Sequence, residues 1–233
     1  MTAPRPPGFV RQVITIAAKD LRVEWRSREI LYTMVLFAVL LVVIFSFAIS
    51  GGTDVQEHEV AGGILWVAVA FTGTLGLGRI FERERDGETI DALMLSPIPR
   101  GALYFGKLLG TLAYLVITEI VFVPLLVGLF RLRVEAPGLL VLVVLLGTLG
   151  YAVVGSVFAA ALMRVRGRAV MLAILTYPIV TPVIVAGTKA TAALLAKPLN
   201  IEGAMVWLQV LGAFDVVFLL VAPLLFGALL SPD

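Results

Sequence analysis

The chain has 233 residues, of which 60% are hydrophobic and 15% charged, well outside the ~45–50% apolar and ~25% charged of an ordinary soluble domain. It has no cysteine, which excludes disulfides, thiolate metal sites, thiol redox chemistry and haem attachment through a Cys-x-x-Cys-His motif. The net charge is only +2; with the apolar residues gathered in blocks, the placement of Lys and Arg reports membrane orientation rather than affinity for nucleic acid.

The amino-terminal stretch carries basic residues from Arg5 to Arg28 before any apolar block begins. That is longer than the charged region of a secretory signal, so the block that follows is expected to stay as an anchor. Within the stretch, Val10, Ile14, Ala17, Leu21 and Trp25 recur at helical spacing, with Arg11, Lys19, Arg22 and Arg26 on the other faces. The pattern predicts an amphipathic helix within residues 1–29 lying in the membrane interface, with Lys19, Arg22, Trp25 and Arg26 as its interfacial residues. The plainer alternative is a basic tail that only fixes topology.

Six apolar segments follow: Ile30 to Ser50, Val60 to Gly78, Leu103 to Phe130, Leu139 to Met163, Val170 to Thr188 and Met205 to Leu230. Most are close to the roughly 20 residues that cross a bilayer core. Fourteen of the 18 Lys and Arg residues fall in the amino-terminal stretch and in the second-to-third and fourth-to-fifth connections; Arg131, Arg133, Lys189 and Lys197 fall on the other side. The positive-inside rule then places both termini in the cytoplasm and the acidic loop of Asp54, Glu57, His58 and Glu59 outside. The expected fold is an all-α integral membrane protein of six spans preceded by an interfacial helix, a single transmembrane domain over 1–233.

Residues 81–100, FERERDGETIDALMLSPIPR, are densely charged at first, apolar from Ile90 to Leu95, and closed by Pro97 and Pro99. The prolines end any helix there. A plain connector needs only a few residues, so this patterned stretch predicts a short cytoplasmic helix with a docking surface; a solvated charged loop is the alternative.

Candidate chemistry is sparse. Gly101-Ala-Leu-Tyr-Phe-Gly106-Lys107-Leu108 nearly matches a phosphate-binding loop, but Leu108 replaces the hydroxyl that would hold magnesium, and no strand precedes it. His58 is the only histidine, and one histidine in a loop is no metal or haem site. Glu119 and Asp215 lie inside apolar segments, where an acid is costly and faces protein or water. They are read either as polar elements of a substrate path or proton-linked site, or as buried acids holding helices in register; the second reading is favoured because one acid per helix without a basic partner is thin evidence for a path. The glycines of the second and fourth spans permit close helix approach. No Ser-His-Asp arrangement or carboxylate cluster exists, so no enzymatic activity is expected of this chain.

The run Glu84-Arg-Asp86-Gly87-Glu88-Thr89, Asp91, then Leu93-Met94-Leu95-Ser96-Pro97, then Gly106-Lys107 resembles the cytoplasmic loop of ABC-2-type permeases. More narrowly, Lys19-Asp20-Leu21, Glu24-Trp25-Arg26-Ser27-Arg28-Glu29, Phe37-Ala38, Phe45-Ser46-Phe47-Ala48, Gly76-Leu-Gly78-Arg79, Glu119 to Pro124 and Tyr177-Pro178 to Pro182 are similar to the haem exporter protein B (CcmB) family. The resemblance covers essentially the whole chain. It implies that 81–100 contains a coupling helix docking on a separate ATPase subunit, with Glu84, Asp86, Gly87, Glu88, Asp91, Leu93, Met94, Leu95, Ser96 and Pro97 at the contact. It implies a CcmA-like ATPase holding the ATP, CcmC-, CcmD- and CcmE-like partners, a homodimer within an A2B2 core, and a multi-pass location in a prokaryotic plasma (inner) membrane. The implied role is in c-type cytochrome biogenesis, through haem export or ATP-driven release of a haem-loaded chaperone. Haem is then cargo, and no cofactor is bound by this chain. The competing expectations are an ABC-2 exporter of lipid, glycan or drug, and a proton-coupled secondary transporter built on Glu119 and Asp215.

Overall fold

The computed structural model describes residues 8–49, 57–79, 98–163, 165 and 167–229. Those residues form seven helices and no strand: α1 (Phe9–Ser27), α2 (Glu29–Ile49), α3 (Glu57–Arg79), α4 (Arg100–Leu129), α5 (Pro137–Ala161), α6 (Arg168–Leu195) and α7 (Ile201–Leu229). The last six are long and apolar enough to cross a membrane, and α1 is the amphipathic exception. In lipid a helix satisfies its backbone hydrogen bonds internally, which is why long apolar segments adopt this structure.

The limits of each helix follow from local chemistry. Pro137 opens α5 at a position where its missing N–H is no loss. Asn200 accepts the Gly203 N–H at 2.8 Å and caps the first turn of α7. Arg28, in the left-handed region at φ 56°, separates α1 from α2 and donates its N–H to the Glu24 carbonyl at 2.6 Å. Pro124, Pro178, Pro182 and Pro223 all lie within helices, which membrane spans tolerate because neighbouring helices and side chains meet the freed carbonyls.

Two expectations need correction. The fifth span was expected to end at Thr188, but α6 continues to Leu195: Lys189 is exposed while Ala190, Thr191, Leu194 and Leu195 are buried, so its long side chain reaches outward without ending the helix. His58 was expected in a loop, and it lies in the first turn of α3.

α3 and α5 occupy the centre. α3 packs on α2, α4, α5 and α6, and α5 packs on α3, α4, α6 and α7. The buried side chains form two layers. One, towards the ends that carry Arg79, Arg100 and Arg168, contains Leu77, Tyr104, Tyr151 and Phe226. The other, towards the opposite ends, contains Trp66, Phe122, Leu126 and Leu211. Outward positions are apolar too, as with Leu36, Leu40, Ile44 and Phe47 on α2 and Leu220 and Leu224 on α7. Since lipid gives no hydrophobic drive between helices, packing must come from shape and polar contacts. Trp66 shows how: its indole fills a notch at Gly147 and Gly187, where a methyl group would overlap the ring. Its Nε1–H donates to Thr191 Oγ1 at 3.1 Å, joining α3 to α6.

Candidate coupling site and the buried polar groups

The contact residues expected between Glu84 and Pro97 lie outside the described residues. What the structure shows is their anchorage: the segment leaves from the carboxyl end of α3 and enters the amino end of α4. At that entry Arg100 donates to the carbonyl of Gly227 at 2.8 Å, which satisfies a backbone acceptor near the end of α7, where such groups lack helical partners. The near-match to a phosphate loop, residues 101–108, is helical throughout, so no loop of backbone N–H groups exists there to cradle a phosphate.

α1 lies along the start of α4. Its expected apolar face divides in two. Val10, Ile14 and Trp25 are exposed, in keeping with a side turned to the membrane interface. Ala17, with Val13, is buried against α4 instead. Lys19, Arg22 and Arg26 are exposed, on a third, basic side. The packing side also carries charge, which the spacing of apolar residues did not reveal. Lys107 of α4 is 3% exposed, and its Nζ stands 3.0 Å from Asp20 Oδ2. The other oxygen, Oδ1, is 3.1 Å from Lys19 Nζ. One turn on, buried Glu24 accepts the N–H groups of Ile30 at 2.8 Å and Leu31 at 3.3 Å. A carboxylate on the first N–H groups of α2 satisfies donors that have no helical partner and complements the positive end of that helix.

Deeper in the bundle, Glu119 of α4 and Asp215 of α7 are both buried. Thr148 of α5 donates to Glu119 Oε1 at 2.5 Å. Asp215 has no hydrogen-bond partner among the described residues and stands against Gly150 of α5. The two acids, from α4 and α7, are thus both set against α5, at Thr148 and at Gly150. A third polar cluster joins α3, α5 and α6: Thr74 Oγ1 lies 2.7 Å from the Tyr151 hydroxyl and 3.0 Å from that of Tyr177, and Tyr151 donates to the Ala70 carbonyl at 2.8 Å. Among the described residues no group of His, Cys, Asp or Glu is arranged to hold a metal ion.

Asp20, Glu24, Lys107, Trp66 and Tyr151 were not singled out as site residues by sequence reasoning. For Asp20 and Lys107 the available signal was their charge at positions that a strictly apolar contact face would exclude.

The family model for CcmB protein matches residues 11–231. Similar proteins include heme exporter protein B of Pseudomonas aeruginosa, 25% identical over 85% of this chain and 88% of its own length. Heme exporter protein B of Bradyrhizobium diazoefficiens is 26% identical over 88% of this chain and 90% of its own. That of Haemophilus influenzae is 27% identical over 93% and 96%. The match takes in most of α1, the central pair and both buried acids, and the chain belongs to the CcmB family.

Proposed function

We propose that this chain is the membrane permease subunit of an ABC transporter acting in haem export for c-type cytochrome maturation. One observation carries the reading: the family match runs from residue 11 to residue 231, and the relatives named heme exporter protein B align over nearly their whole length. Six membrane-length helices fit a transporter role.

The finer assignment follows from the resemblance and from chemistry. ATP is hydrolysed on a separate, CcmA-like subunit, and two copies of each subunit form the core in a prokaryotic inner membrane. Segment 81–100 holds the docking element: Glu84, Asp86 and Glu88 supply salt-dependent contacts, and Leu93, Met94 and Leu95 the apolar anchor that interfaces need. Its attachment supports that role. A push on this segment loads α3, the helix packed on four others, and α4, the helix that carries α1. CcmC-, CcmD- and CcmE-like proteins receive the outcome on the outer side, with haem as the cargo or the group carried by the released chaperone.

The test is genetic. Deleting the gene in its host should abolish covalent haem in c-type cytochromes, read by haem staining of membrane proteins, and a plasmid copy should restore it. Normal c-type cytochromes in the deletion strain would reject the reading. Leu93→Asp on the plasmid should insert normally but lose the ATPase on co-purification.

A further inference from the structure

The residues of the failed phosphate motif have a different use. We infer that Gly106-Lys107-x-x-Gly110 of α4 is a saddle for α1, and that the Asp20–Lys107 ion pair joins the two helices into one unit that moves as a body through the transport cycle. This deepens the permease reading and rests on it for its activity readout. Asp20 and Lys107 are positioning residues here; neither touches cargo.

The saddle is built from absence and charge. A methyl group at Gly106 would overlap the Ile16 side chain and stand 3.3 Å from the Val13 carbonyl, so only glycine lets α1 come this close. At Gly110 an added Cβ would lie 3.6 Å from Asp20 Cβ. Between these glycines Lys107 is withdrawn from solvent, with its ammonium on Asp20. Val13 and Ala17 bury against α4 beside it, and Phe9 meets Phe105 edge-on with ring centroids 6.3 Å apart.

Apolar contacts alone would let one helix roll or slide on another. An ion pair with one buried member fixes register, because leaving the buried Lys107 ammonium away from Asp20 is strongly unfavourable. Asp20 and Glu24 are one turn apart on the same side of α1. The first holds α4 and the second caps α2. Movement entering at Arg100 therefore reaches α1 through Lys107 and then the start of α2 through Glu24.

Because the chain has no cysteine, a single pair can be placed without background. In D20C/G110C the Cβ separation of 3.6 Å is within the roughly 3.5–4.5 Å that a disulfide takes. The experiment uses the complete complex purified from native membranes, oxidised with copper phenanthroline or reduced with dithiothreitol, alongside the wild-type complex under the same treatments. The disulfide should form in high yield, and ATPase turnover should be low when reduced and recover on oxidation. Failure to cross-link would overturn the docking, and turnover that falls on oxidation would show that α1 and α4 must part during the cycle. A charge exchange is the second arm: D20K should lower c-type cytochrome formation roughly tenfold, and D20K/K107D should recover most of it, as expected of a coupled pair. A double variant no better than D20K would reject the pair as the join. If the wild-type chain itself fails to support c-type cytochrome formation, the permease reading fails, while the cross-link yield still reports α1 on α4.

Discussion

Gly150 of α5 stands directly against the carboxyl group of Asp215 on α7: a Cβ at position 150 would lie 2.6 Å from Oδ1. Both sit near the middle of their spans, and no hydrogen-bond partner meets the acid among the described residues. Asp215 is thus accommodated by an omitted side chain, and the closeness of α5 and α7 depends on that omission.

Gly150→Ala should therefore destabilise the purified protein by about 1–3 kcal/mol, the usual cost of overpacking. Asp215→Ala should relieve that cost, so the double variant should melt above Gly150→Ala in a detergent thermal shift. Additive losses would show that the two positions do not meet.

Thr148 and Glu119 make the opposite arrangement, an acid supplied with a donor. Thr148→Val keeps the shape but leaves the buried carboxyl without that hydroxyl, at a cost of about 1–3 kcal/mol. Glu119→Gln retains an acceptor for Thr148 and should lose less. Comparison of the two melting temperatures checks this; equal losses would argue against the bond.

At the indole notch, Gly187→Ala should separate α3 from α6, since the added methyl overlaps Trp66. Trp66→Phe gives up the bond to Thr191 and some of the buried area, and is expected to cost about 1–2 kcal/mol. Yield of monodisperse protein after solubilisation is the readout, with Gly187→Ala the worse of the two.

At the elbow, Glu24→Ala removes the acceptor for Ile30 and Leu31. Loss of a cap of this kind costs about 0.5–2 kcal/mol. Glu24→Gln keeps an oxygen and should be milder. Hydrogen exchange at the first turn of α2 should quicken in the alanine variant and change little in the glutamine variant.

The spans were legible because lipid imposes one rule on about 20 consecutive residues, and each helix matches its apolar block to within a few residues, α6 excepted. Lys189 marked the end of a block by charge, yet a lysine on an outward face costs a helix little. The interfacial helix was legible as a helix, but not in its contacts. Counting apolar residues put Val10, Ile14, Leu21 and Trp25 with Ala17, whereas of these only Ala17 is buried and Leu21 half-buried. The side that does pack carries Asp20 and Glu24, whose partners are 87 and six residues away. A pairing at that separation depends on the tertiary arrangement, and one sequence does not specify it. Glu119 and Asp215 stood out as acids inside apolar blocks; their different settings, one with a threonine and one with a glycine of α5, required the packing of α4 and α7 on that helix.

The most direct test of the central claim is an affinity pull-down of this protein from mildly solubilised native membranes, with mass spectrometry of the eluate. The account predicts a P-loop ATPase together with CcmC- or CcmE-like partners. An ATPase without those partners would move the chain to an ABC exporter of another cargo, and an intact preparation with no ATPase would contradict the account.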